Sequence, residues 1–100
     1  MVVNLAGFSH SGRHLSLKHL LEGQELSLVR EPQNTYDPDA IMVLTLDGVH
    51  IGYIPSLKAK EMAPLMDSGT LFSARIHKID RQYEHLEKAV FMRVEQRVLR

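Results

Sequence analysis

Turn-forming residues interrupt this chain every 10–15 residues, and no uninterrupted apolar run exceeds the five residues of Ala40–Leu44. Stretches that short suit strands joined by tight turns, not the long amphipathic helices of a bundle. They also exclude a membrane-spanning helix, which needs about 20 apolar residues. The 100 residues fit one domain, residues 1–100, with one modest core. The chain has no cysteine, which removes disulfides, thiol catalysis and Cys-ligated zinc, and points to a reducing, cytoplasmic compartment. Met1-Val2-Val3-Asn4-Leu5-Ala6-Gly7 has neither the charge nor the apolar length of a secretory signal.

The punctuation predicts the elements. Val2 to Phe8 reads as a first strand ending near Gly7, followed by a polar loop, Ser9 to Arg13. Leu15, Leu17, Leu20 and Leu21 form a short helical segment closed by Gly23. Glu25 to Arg30 alternates and predicts a strand; Ala40 to Leu46 is apolar on both faces and predicts a buried central one. Asp47-Gly48 signals a type I′ hairpin into a strand from Val49 to Ile54. Ser56 is the expected N-cap of a helix over Leu57 to Asp67, which Pro64 should kink and Gly69 should stop. Leu71 to Ile79 and Lys88 to Arg97 predict a last strand pair, although Tyr83, Leu86, Val90 and Val94 also fit a helical stripe. The sum is a mainly β domain with one or two short helices. A small barrel satisfies it best, because closure removes exposed edges.

Charge narrows the function. Residues 1–50 hold 3 basic and 6 acidic side chains and residues 51–100 hold 9 and 6, so the halves carry −3 and +3 within a neutral whole. Such a chain does not coat nucleic acid by bulk electrostatics; any polyanion must be held at a local site. There is no P-loop, no GxGxxG, no GxSxG and no HExxH, and no paired carboxylates stand out, so no enzymatic activity is expected. His10, His14 and His19 have a spacing that invites zinc on a helix, but Gly12 lies among them and exposed rim histidines are the simpler reading.

The richest segment runs from Arg30 through Glu31-Pro32-Gln33-Asn34-Thr35-Tyr36-Asp37-Pro38-Asp39. Two readings stand. In one it is a tight connection in which the prolines fix φ, Asn34 and Asp37 make Asx turns, and Tyr36 covers the barrel's edge. In the other it is a recognition loop, with Tyr36 as a stacking face, Asp37 as an acceptor, and Arg30 and Asn34 as donors, groups that suit a sugar or nucleotide end. In Gly52-Tyr53-Ile54-Pro55, glycine and proline read as architectural, while Tyr53 serves either packing or ligand contact.

The run Val29 to Ile41, followed by Ile51-Gly52-Tyr53-Ile54-Pro55, resembles the signature of the HIRAN domain. Leu5-Ala6-Gly7-Phe8, Glu22-Gly23-Gln24-Glu25-Leu26 and Ala63-Pro64-Leu65-Met66-Asp67-Ser68-Gly69 extend the resemblance over residues 3–76. It implies a small OB-like β-barrel that binds the 3′-hydroxyl end of single-stranded DNA, in repair or replication, alone or beside a helicase or nuclease. By that likeness Asp37 would accept a hydrogen bond from the 3′-hydroxyl, Tyr36 would pack on the terminal sugar or base, and Asn34 would fix the loop or touch the nucleotide. Arg30 would be the motif's cation, or a salt-bridge partner of Glu31 or Asp37. Where family members carry further aromatics after the first strand, this chain offers His10, Arg13 and His14. Phosphate contacts would come from few residues, such as Arg13, Lys18, Lys58 or Lys60, and salt dependence should be shallow. The competing expectation is a protein–protein adaptor or oligomerisation module using an apolar patch such as Phe91, Val94 or Val98, and the chain is expected to be a monomer or a weak homo-oligomer.

Overall fold

The computed structural model describes residues 1–82 and 84–97. Six strands form one antiparallel sheet: β1 (Val2–Asn4), β2 (Glu25–Arg30), β3 (Ile41–Thr45), β4 (His50–Tyr53), β5 (Phe72–Ile79) and β6 (Val90–Gln96). Their order in space is β1-β6-β5-β2-β3-β4. One face of each strand supplies the core through alternate residues, such as Ile41 and Val43 of β3 and Val90, Met92 and Val94 of β6. The α-helix α1 (Ser56–Asp67), the only one among the described residues, adds Ala59, Met62 and Ala63, a stripe at helical spacing. Among the described residues no helix is long and apolar enough to cross a membrane.

The sheet curls until its two ends meet. After β1 the chain leaves β6 and crosses to β4, where the Ala6 N–H donates to the Tyr53 carbonyl at 2.9 Å and the Tyr53 N–H donates back at 2.8 Å. This exchange is a single antiparallel bridge, so the molecule is a curled half-barrel joined at one point. Register shifts at Val43/Leu44 and at Ile76/Lys78 help the sheet bend. The joint requires Gly52: a Cβ there would lie 2.5 Å from the Ala6 carbonyl oxygen and 2.8 Å from Leu5 Cδ1.

Several sequence expectations shift for local reasons. The first strand ends at Asn4 and not at Phe8, because Ala6 is committed to β4. The predicted polar loop and helical segment merge into tight 3-10 turns over His10–His19, which include Gly12 at φ 75°. The Asp47-Gly48 hairpin has a longer loop than a two-residue type I′ turn. The Thr45 N–H reaches the Val49 carbonyl and the Gly48 N–H reaches the Thr45 carbonyl. Pro55, not Ser56, occupies the cap position of α1, since its carbonyl accepts the first helical bond, from Ala59, at 2.9 Å. The helix runs through Pro64 to Asp67. The last segment is strand, not helix, because Val90, Met92 and Val94 share the inward face with period two. Tyr83 and Val98 lie outside the described residues. Of the residues expected to form an adaptor patch, Val94 is buried and Phe91 half-buried.

Gly52→Ala drives a methyl into backbone at the joint and is expected to destabilise the fold by about 1–3 kcal/mol, read as a lowered urea midpoint.

Candidate functional site

The loop between β2 and β3 is a closed hydrogen-bonded unit. Its ends are pinned where the Glu31 N–H donates to the Ala40 carbonyl at 2.9 Å. The Asn34 side-chain carbonyl accepts the N–H groups of Tyr36 (2.8 Å) and Asp37 (3.0 Å), and Asp37 Oδ1 accepts the Asp39 N–H at 2.9 Å. These are the Asx turns expected of a tight connection. Yet the loop leaves the Tyr36 side chain 97% exposed. An aromatic that touches nothing forgoes roughly 1.5–3 kcal/mol of burial, so it does not cover the barrel's edge.

Beside this loop opens a groove of about 770 Å³. Three segments line it: Gly7, His10 and Arg13 after β1; Glu31, Asn34, Tyr36 and Asp37 from the loop; and Tyr53 with Ser56 where β4 passes into α1. Glu31 ties the segments together, for its Oε1 accepts both the Asn34 Nδ2 (2.6 Å) and the Tyr53 hydroxyl (2.9 Å). Those donors, Asn34 foremost, hold the Glu31 carboxyl below the usual glutamate range. Burial, with Glu31 nearby, pushes the Tyr53 phenol up, so it stays neutral and donates. The Arg13 guanidinium lies 5.2 Å from the Tyr53 ring centroid, within cation–π range, and its Nη1 donates to the Gly7 carbonyl at 3.1 Å. His50 meets the Tyr53 ring edge-on at 4.9 Å, and its Nε2 lies 2.9 Å from the Gly52 carbonyl oxygen. Burial, with the charge of Arg13, pushes His50 below the ordinary histidine value.

Of the residues singled out in the sequence, Arg13, Asn34, Tyr36, Asp37 and Tyr53 converge on the groove. Arg30 and His14 do not line it. Arg30 forms a two-pronged pair with Asp67 at the end of α1, at 2.9 and 3.1 Å, and donates to the carbonyls of Ala40 and Pro38. Its ion-pair partner is therefore Asp67, not Glu31 or Asp37, and it clips the loop from behind. His14 is half-buried with Nδ1 lacking a partner among the described residues. Lys18, Lys58 and Lys60 are also absent from the lining, and Lys58 lies 3.7 Å from Glu61. Among the described residues no three histidines or carboxylates converge as a metal would require, His10, His14 and His19 included. The central place of Glu31 was not foreseen, although it sits three residues before Asn34, the spacing at which their side chains meet. The role of His50 behind Tyr53 had no signal in the sequence.

Comparison with known proteins places this geometry. The family model of the HIRAN domain matches residues 1–97. A Fanconi-associated nuclease 1 homolog of rice (Oryza sativa subsp. japonica) is 47% identical over 51 residues, covering 48% of this chain and 5% of that protein. A putative SWI/SNF-related matrix-associated actin-dependent regulator of chromatin subfamily A member 3-like 1 of Arabidopsis thaliana is 37% identical over 73 residues, covering 71% of this chain and 8% of that protein. The chain thus spans less than a tenth of either curated relative. A crystal structure of a protein from Lactobacillus plantarum superposes with a TM-score of 0.75 at 32% identity, over 94% of this chain and 91% of that one. The HIRAN domain of human HLTF superposes with a TM-score of 0.67 at 20% identity, over 92% of this chain and 68% of that one, a likeness of fold.

The depressed pKa values of His50 and Glu31 set a pH dependence. Each binds its proton more readily once unfolded, so stability is full at neutral pH and declines on acidification, first through the histidine range and then through the carboxylate range. Urea titrations between about pH 7 and pH 5 should show the midpoint falling with pH, and His50→Gln should flatten the upper part of that slope.

Proposed function

The chain belongs to the HIRAN domain family, and on that premise we propose that it is a DNA-binding module whose groove takes the 3′-hydroxyl end of a single strand. The observation that carries this reading is Tyr36, 97% exposed on a loop whose hydrogen bonds hold it in place, beside the groove-lining Asp37. Asp37 Oδ2 accepts no hydrogen bond among the described residues and suits the terminal hydroxyl. Tyr36 supplies the stacking face for the last sugar or base. Arg13, braced on Tyr53, is the one Lys or Arg in the lining and suits a single backbone phosphate. Asn34 holds the loop, since its side-chain carbonyl already serves two backbone N–H groups. Arg30 holds it too and makes no direct contact. His14, outside the lining, acts at most through the 3-10 turns that carry Arg13.

Binding, not turnover, is the activity these groups support. The names of the curated relatives, a nuclease homolog and a chromatin regulator, fit a module that delivers DNA ends to an enzyme in repair or chromatin work. The adaptor reading is less supported, because Val94 is buried and unavailable to an apolar patch.

Fluorescence anisotropy with a linear oligonucleotide and its circularised form tests the proposal; equal affinity for both refutes end recognition. Asp37→Ala should weaken binding to the linear strand by about 1.5–3 kcal/mol, and Tyr36→Ala by about 1–3 kcal/mol. One or two phosphate contacts predict that log K falls with log salt at a slope of only about −0.7 to −1.4.

A further inference from the structure

Resting on the end-binding reading above, we propose that Glu31 is a specificity-determining residue whose carboxylate turns away a chain end that carries a phosphate. The lining holds two carboxylates, Glu31 and Asp37, against the one guanidinium of Arg13, a net charge of −1 with histidine counted neutral. A pocket built for a phosphorylated end has the opposite balance, with cationic or backbone donors converging on the anion.

Both carboxylates line the same groove. Asn34 bridges them: its Nδ2 donates to Glu31 Oε1 at 2.6 Å, while its side-chain carbonyl accepts the Asp37 N–H at 3.0 Å. Each acid keeps one oxygen, Glu31 Oε2 and Asp37 Oδ2, that accepts no hydrogen bond among the described residues. Such oxygens match a ligand group that donates, such as a hydroxyl, and they repel an ionised phosphate, which only accepts. Arg13 offsets only part of this charge: it acts on Glu31 at a distance and donates to neither carboxylate among the described residues. It is tethered to the Gly7 carbonyl in the turn after β1, on a different segment from the loop that carries the acids.

Anchoring the loop does not by itself require the charge. A glutamine side-chain oxygen at position 31 would accept the same two donors, from Asn34 and Tyr53. The negative charge is therefore an addition with its own consequence. At an effective dielectric near 20, one like charge within about 10 Å of a phosphate changes affinity by roughly tenfold.

The test uses the full chain and two oligonucleotides of one sequence, ending in a 3′-hydroxyl or a 3′-phosphate, with anisotropy at low salt. The wild type should prefer the hydroxyl end by roughly tenfold or more. Glu31→Gln should narrow that ratio about fivefold or more by binding the phosphate end more tightly than the wild type does. A gain in affinity cannot come from a damaged fold, so it separates the charge from the anchoring. An unchanged ratio in Glu31→Gln overturns the proposal and leaves end binding intact. Equal or absent binding of both ends by the wild type removes the end-binding reading, and this proposal with it. Should Glu31→Gln not fold, the wild-type ratio measured from about 20 to 500 mM salt decides, because charge exclusion shrinks with screening. A ratio constant across that range overturns it.

Discussion

The backbone exchange between Ala6 and Tyr53 is the contact on which the remainder of the molecule depends. It joins the two ends of the curled sheet, and it is made possible by the missing side chain at Gly52. The same contact builds the groove. Gly7 follows Ala6, and the turns that begin there bring Arg13 over the Tyr53 ring. Closing the sheet and placing a cation beside an aromatic are thus one event. A shift at Gly52 would move both walls together.

The loop between β2 and β3 has a second, independent source of order. In front, Asn34 and Asp37 satisfy its amides, and Glu31 links it to Tyr53. Behind, Arg30 grips two of its carbonyls while pairing with Asp67 of α1. That ion pair is partly exposed and contributes little by itself. The guanidinium matters more as a planar fork that serves helix and loop at once, a task lysine's single ammonium does not perform.

Much of this was legible in the sequence. Short apolar runs and turn residues located all six strands to within a few residues, and the inward faces of β3 and β6 follow period two in the fold. The Pro-bounded loop announced itself by composition, and its motif named Asn34, Tyr36 and Asp37. What could not be read were consequences of closure. The early end of β1, the meeting of Arg13 with Tyr53, and the choice of Asp67 as partner of Arg30 depend on residues 37 or more apart. No local pattern encodes such a pairing. Glu31 was hidden for a different reason, because a glutamate beside a proline is unremarkable until Tyr53 arrives.

The way the loop is held has a kinetic meaning. Because Asn34, Asp37 and Arg30 already fix its backbone, no ordering of the loop has to accompany capture of a ligand. Encounter is then governed by diffusion and orientation, with little steering from a neutral protein. On the proposed reading, residence time would rest on the contacts made at Tyr36 and Asp37. On the proposed end-binding reading, such a module samples strand ends without first ordering its loop, and the duration of the complex is left to whatever else the same strand engages.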